Sequence, residues 1–162
     1  MQKLELKIAY EEYASEAELE EKEKYLLQQA KQAVSGAYAP YSKFNVGAAV
    51  LLKNGEVIIG NNQENAASPS GLCAERVAVF AAGANHPSIA IEAIAITCKT
   101  NRFNVNEPIM PCGDCRQALL EYELRHESKI KLVLMGETGI IRVIESVSDL
   151  LPFVFNGKGL SK

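Results

Sequence analysis

Only two of the 162 residues are histidine and four are cysteine, basic residues do not outnumber acidic ones, and no apolar run is long enough to cross a bilayer. Each scarcity removes a class of function. A membrane span needs about 20 consecutive apolar residues. No basic segment followed by a short apolar one opens the chain, so no secretory leader is expected and a reducing cytoplasm is the expected setting. Seventeen Lys and Arg against twenty Asp and Glu give a formal net charge of −3, without the basic surplus that a nucleic-acid backbone demands. Neither a membrane nor nucleic acid is therefore expected as a partner. A chain of this length buries roughly two-thirds of its unfolded surface and needs no disulfide framework, which leaves its cysteines free for other chemistry. His86 and His126 fall at the ends of predicted helices, where surface or capping roles suit them better than metal binding.

The pattern of elements predicts one domain over residues 16–162, preceded by an N-terminal extension over 1–15. Leu4, Leu6, Ile8 and Tyr10 alternate with polar residues, which predicts a half-buried strand that could cover a sheet edge. Ser15 and Glu18 have capping-box spacing, and Leu26, Ala30, Ala33 and Ala37 recur at helical spacing, predicting a helix over 16–37. Val46, Ala48, Val50 and Leu52 alternate up to Asn54-Gly55, a two-residue turn signal, after which a strand over 56–60 should pair back. A helix from Cys73 should stop before Pro87. A strand over 89–97, a helix from Pro111 to Tyr122 or His126 and a strand over 130–135 should follow as a right-handed parallel unit. The four residues Gly136 to Gly139 are too few for a parallel crossover, so the next strand must run antiparallel. The fold class is α/β: a three-layer α/β/α sandwich around a mixed five-stranded sheet, with a possible extra N-terminal strand.

The cysteines carry the chemistry. Cys73-Ala74-Glu75 opens one predicted helix and Pro111-Cys112-Gly113-Asp114-Cys115 opens another. Three thiolates suit one tetrahedral zinc and leave its fourth position for water, whose pKa the metal lowers. Glu75 is one residue from the Cys73–Ala74 pair, spaced to handle protons beside that water without binding the metal. The alternatives are a structural site closed by Cys98 and a redox-active Cys-x-x-Cys pair. Cys98, however, sits in Ile94-Ala95-Ile96-Thr97-Cys98, a short apolar run that reads as a buried strand. Three thiolates on Zn²⁺ leave a net charge of −1. Arg76, a cation placed unfavourably in the first turn of a helix, makes sense if it offsets that charge by bonding to ligand sulfurs. Arg116 could act likewise or be a solvated surface residue.

Four ordered motifs together resemble the small zinc-dependent cytidine deaminases that act on free nucleosides: Tyr38-Ala39-Pro40-Tyr41-Ser42-Lys43-Phe44-x-Val46-Gly47-Ala48-Ala49, Asn62-x-Glu64-Asn65-Ala66, Cys73-Ala74-Glu75-Arg76 and Pro111-Cys112-Gly113-x-Cys115-Arg116-Gln117. The resemblance spans about 38–155 and implies a cytidine deaminase-like fold, with Cys73, Cys112 and Cys115 as zinc ligands and Glu75 as the proton-handling catalytic residue, a division of roles general to zinc deaminases. It implies that cytidine and deoxycytidine are hydrolysed to uridine and deoxyuridine, with Asn62 and Glu64 on the ribose 3′-hydroxyl, the Ala74 N–H on the pyrimidine carbonyl and Phe44 along the base. It further implies a homotetramer in which Phe155, in Leu150-Leu151-Pro152-x-x-Phe155, stacks on a base bound by a neighbouring subunit. Ser68 stands where related sequences often carry an aromatic residue. Blasticidin S-type deaminases share the cysteine motifs but are expected to differ at the residue after the glutamate, so Arg76 favours a nucleoside enzyme. A non-catalytic zinc-stabilised module is the reading from outside the enzymes.

Overall fold

The structure, a computed structural model, describes residues 1–157; the last five residues of the expected domain lie outside the described residues. Its elements in order are β1 (Glu11–Tyr13), α1 (Glu21–Ala33), β2 (Phe44–Leu52), β3 (Val57–Asn61), α2 (Ala74–Asn85), β4 (Ile91–Thr100), α3 (Gly113–Arg125), β5 (Lys131–Met135) and β6 (Ile141–Ile144). They form a six-stranded sheet in the order β1-β6-β5-β4-β2-β3. Only the β4–β5 pair is parallel, with α3 as its connection, and β5–β6 is an antiparallel hairpin as the short loop required.

Strand periodicity builds the layers. In β4, Ala93 and Ala95 face Leu26, Leu27 and Ala30 of α1, while Ile94 and Ile96 face Ala78 and Val79 of α2 and Leu119 and Leu120 of α3. Small residues on the α1 side let that helix sit close. A Cβ on Gly47 of β2 would lie 2.1 Å from the Ala30 carbonyl oxygen, so no larger residue fits there without moving α1.

Several boundaries depart from the sequence expectation. Residues 4–10 form no strand: Leu4, Leu6, Ile8 and Tyr10 are exposed, and the edge strand is instead Glu11–Tyr13, paired to β6. β6 is only Ile141–Ile144, and Glu11, Glu12 and Tyr13 already pair with Val143, Arg142 and Ile141, which leaves the alternating segment beyond the end of that edge; the Glu12–Arg142 ion pair at 2.7 Å holds the shorter register. The helix expected from residue 16 to 37 is shorter. A 3₁₀ turn at Glu16–Glu18 precedes α1, whose capping box is Glu20 with Glu23, not Ser15 with Glu18, and another turn at Val34–Gly36 follows it. The Asn54-Gly55 signal marks a hairpin whose loop has three residues, 53–55. The Gly55 N–H donates to the Leu52 carbonyl and only Gly55 in the loop has positive φ, +89°, as a type I turn ending in a left-handed residue requires. Pro111 lies just before α3, outside it.

Candidate active site

Cys73 and Cys112 occupy the N-cap positions of α2 and α3, and Cys115 lies in the first turn of α3. N-caps ordinarily carry Ser, Thr, Asp or Asn, whose oxygen accepts from the first free N–H groups. Neither cysteine makes such a bond, so both sulfurs are spared for a ligand. The partial positive charge at two converging helix ends stabilises thiolates. The three Sγ atoms lie within 4.8 Å of one another, with Cys112 and Cys115 at 3.3 Å. Sulfurs around a tetrahedral zinc at about 2.3 Å stand about 3.8 Å apart, so the donor set and spacing fit this ion.

Without a metal the thiols share protons: a hydrogen bond from Cys115 and then Arg76 hold the Cys73 thiol below its ordinary value against the opposing effect of burial, while the same bond and burial hold Cys115 above its own. An Arg76 Nη2 lies 4.0 Å from Cys73 Sγ, and its Nε is buried without a hydrogen-bond partner among the described residues. Burial works to lower the pKa of this guanidinium, but the Cys73 sulfur and the charges of the three cysteines outweigh it and the pKa rises. Arg116 neither bonds the cysteine sulfurs nor stands as a solvated surface residue. Its Nε donates to the Pro111 carbonyl and its Nη1 to that of Leu150, tying the C-terminal segment to the start of α3.

Cys98 stands apart from this cluster. It is buried in β4, and desolvation, with a smaller push from Glu137, raises its thiol to about 11. Among the described residues the cysteine cluster contains Cys73, Cys112 and Cys115 and leaves Cys98 out. Metal analysis of Cys98→Ala should therefore show undiminished zinc, whereas loss of the ion in that variant would return Cys98 to the ligand set.

Glu75 is buried in the first turn of α2, and desolvation is the main cause of its raised pKa, opposed by hydrogen bonding from its own N–H and from Cys115. Together with Cys73, Cys112, Ala74 and Arg76 it lines a cleft of about 1090 Å³ that also receives Phe44, Asn62 and Glu64. Glu64 Oε2 accepts from the backbone N–H groups of Tyr41 and Ser42, at 2.9 and 3.2 Å. The Ser42 hydroxyl above all, with those N–H groups, holds this carboxylate below its usual pKa. Asn62 Oδ1 accepts from the Val46 N–H while its Nδ2 donates to the Phe44 carbonyl, so the amide pins the start of β2 beneath the cleft. Phe155 does not join them: its ring is 67 % exposed, away from the cleft of its own chain.

The sequence pattern missed two supports. Tyr41 and Ser42 stand in the first motif with no role attached to them, although Pro40 beside them marks the tight turn that presents their N–H groups to Glu64. Phe103, in an irregular stretch, packs against Phe44 with ring centroids 6.5 Å apart, and no periodicity marks it.

A cluster of three thiols with a buried carboxyl beside it, at the mouths of two helices on a mixed α/β sheet, defines a zinc-dependent hydrolase site. The model of the cytidine and deoxycytidylate deaminase zinc-binding region matches residues 20–130, and the chain belongs to that family. It is 41% identical to the cytidine deaminase of Halalkalibacterium halodurans, over 84% of this chain and 96% of that one, and 36% identical to that of Sporosarcina psychrophila, over 84% and 93%. Among solved structures it resembles the Burkholderia pseudomallei cytidine deaminase with a TM-score of 0.70 and 41% identity, covering 81% of this chain and 97% of that one. The Mycobacterium tuberculosis cytidine deaminase gives a TM-score of 0.63 at 33% identity, covering 82% and 95%. Among the described residues, no helix is long and apolar enough to cross a membrane.

Proposed function

We propose that this protein hydrolyses cytidine and deoxycytidine to uridine and deoxyuridine with release of ammonia, as a pyrimidine-salvage enzyme of the cytoplasm. The observation that carries this reading is the buried Glu75 carboxyl beside the three-cysteine cluster, at the wall of a cleft of about 1090 Å³ with room for a nucleoside. Cys73, Cys112 and Cys115 hold the zinc, which when bound supplies a water nucleophile near neutral pH. Glu75 takes a proton from the attacking water and delivers one to N3 of the cytosine. As the C4–N4 bond breaks it takes the remaining proton from the oxygen now bonded to C4 and passes it to the departing amine, which leaves as ammonia while that oxygen becomes the C4 carbonyl. A carboxyl whose pKa burial has raised suits both directions of transfer. The N–H of Ala74, in the first helical turn and so without a partner inside the helix, donates to the pyrimidine carbonyl. Phe44 lies along the base. Glu64 and Asn62 meet the ribose 3′-hydroxyl; the carboxylate has about four acceptor positions, so its two backbone bonds leave capacity for the sugar.

Arg76 sets the charge of this site. Removing its cation leaves the thiolates uncompensated and makes Glu75 and its neighbours hold protons more tightly, since both thiolate repulsion and the loss of Arg76 raise a carboxyl pKa. Arg76→Gln should shift the acidic limb of the turnover profile to higher pH with zinc content little changed. An unmoved limb would reduce Arg76 to a packing role.

The assembly in this proposal is a homotetramer with shared sites, residues 16–162 forming the domain and 1–15 its extension. The exposure of Phe155 supports it, because a ring outside its own cleft and outside the core is free to meet a neighbour's. Stacking contributes about 0.5–1.5 kcal/mol, so Phe155→Ala should raise KM roughly 2- to 10-fold without unfolding the protein. Co-assembled Glu75→Gln chains, inactive but carrying intact Phe155, should restore the KM of Phe155→Ala chains. Mixed assemblies without recovery would contradict shared sites.

A further inference from the structure

The stretch from Lys3 to Tyr10 is the part of the molecule whose sequence pattern has no structural counterpart within its own chain. Leu4, Leu6, Ile8 and Tyr10 alternate with Lys3, Glu5, Lys7 and Ala9, the period of a strand with one apolar face, yet the segment has no regular structure. The four apolar side chains are 78, 65, 44 and 55 % exposed. It runs directly into β1, which is paired to β6 only through Glu11, Glu12 and Tyr13. Tyr10 is anchored by the Arg142 guanidinium 5.7 Å over its ring, so the free part begins where the sheet ends.

We propose that this segment is an interaction strand whose partner is the same segment of a second copy of the chain, paired antiparallel about a two-fold axis through Leu6. The charges select both the partner and the register. Centred on Leu6, Leu4 lies opposite Ile8 and Glu5 opposite Lys7, each pairing occurring twice, and no like charges oppose one another. Centring on Glu5 sets Glu5 against itself and Lys3 against Lys7; centring on Lys7 sets Lys7 against itself; centring on Ile8 sets Glu5 against Glu11. A register shifted by one residue places apolar side chains opposite charged ones. Parallel in-register pairing stacks every like charge. Centring on Leu4 opposes Lys3 and Glu5 favourably but sets Leu6 against Gln2 and ends at Lys7, so Ile8 and Tyr10 stay unpaired. Opposite charges across a strand pair stabilise it and like charges destabilise it, so among the two-fold antiparallel registers the one centred on Leu6 alone gives Leu4, Leu6 and Ile8 apolar partners with no like charges opposed. A two-stranded ribbon is marginal alone, and it acts here as an added tie between chains, strengthened where several arms engage at once. The residues involved are remote in sequence from the cysteine cluster and Glu75, so the inference does not depend on the proposed activity.

A covalent trap reads this pairing. Leu6→Cys places two thiols at directly opposite positions, where antiparallel Cα atoms are about 4.5–5.5 Å apart and a disulfide closes without backbone movement. The full-length variant, equilibrated in a glutathione redox buffer and run on a non-reducing denaturing gel, should give disulfide-linked dimers that the native chain, with its own four cysteines, does not. Adding Glu5→Lys alone or Lys7→Glu alone should lower the dimer yield, with a weakening of about tenfold or more. The double exchange Glu5→Lys with Lys7→Glu should restore it. Mixing the two single-charge variants should also restore it, since each then supplies the charge its partner lacks. Cytidine turnover should be the same in all of them. Absence of dimers in Leu6→Cys, or dimer yields indifferent to the charge exchanges, would overturn the proposal.

Discussion

Replacing Glu75 by glutamine is expected to lower kcat by at least about 10²- to 10⁴-fold while the zinc content and fold stay intact. The amide keeps the size and polarity of the side chain but accepts no proton from water and gives none to N3 or to the amine. Because one group is used for several transfers, the loss should exceed that of a single acid–base step. Stability should move the other way or not at all. Burial raises the Glu75 pKa, so the folded metal-free chain holds this proton more tightly than the unfolded one. The carboxyl's contribution to stability therefore falls as pH rises from the ordinary carboxylate range through the raised value. Glutamine has no such charge to bury. Turnover, metal content and thermal melting measured on the same preparation check all three; near-normal kcat would place the proton route elsewhere.

The second large effect is expected at Gly60, a residue with no chemistry of its own. A Cβ there would lie 2.5 Å from the Ala78 nitrogen and 2.6 Å from the Ala74 carbonyl oxygen, both backbone atoms of the first turns of α2. Backbone cannot swing aside as a flexible side chain can. Gly60→Ala must therefore displace the helix whose N-cap is Cys73 and whose first turn holds Glu75. Overpacking of this kind costs about 1–3 kcal/mol, or roughly 3–10 °C in Tm for a chain of this size. Because the displaced atoms carry the proposed metal ligand Cys73 and the proposed proton-handling Glu75, activity and zinc affinity should fall further than stability alone would cause. Calorimetry together with zinc titration distinguishes this from simple destabilisation. An alanine variant with unchanged Tm and unchanged zinc affinity would show that β3 does not fix the position of α2.

These expectations rest on unequal readability in the chain. The clustering of the two cysteine motifs could be read directly, because residue type, spacing and the helix starts they occupy are all local properties. The alternation in β2 and the shortness of the loop after Met135 likewise constrained the sheet without knowledge of tertiary contacts. β1 could not be read that way. The strongest alternation near the N-terminus lies in residues 4–10, but β6 offers an edge only four residues long, and Glu11-Glu12-Tyr13 wins it through the Glu12–Arg142 ion pair and the packing of Tyr13 beside the α1 layer. The start of α1 was missed for a similar reason. Ser15 has the side chain of a cap, but Leu19 is buried and Glu20 and Glu23 close the capping box instead. At the site, the residue types of Asn62 and Glu64 were visible, whereas their anchoring to Val46, Phe44, Tyr41 and Ser42 depends on segments brought together only by folding.

The central claim is that a zinc held by Cys73, Cys112 and Cys115 beside Glu75 makes this protein a deaminase of free cytosine nucleosides. The most direct measurement is ammonia release, with the accompanying absorbance change, by zinc-loaded protein given cytidine, deoxycytidine, cytosine and blasticidin S side by side. The expected result is conversion of cytidine and deoxycytidine well above the other two, abolished by a chelator and restored by zinc. Protein carrying one zinc per chain that leaves both nucleosides intact would contradict it.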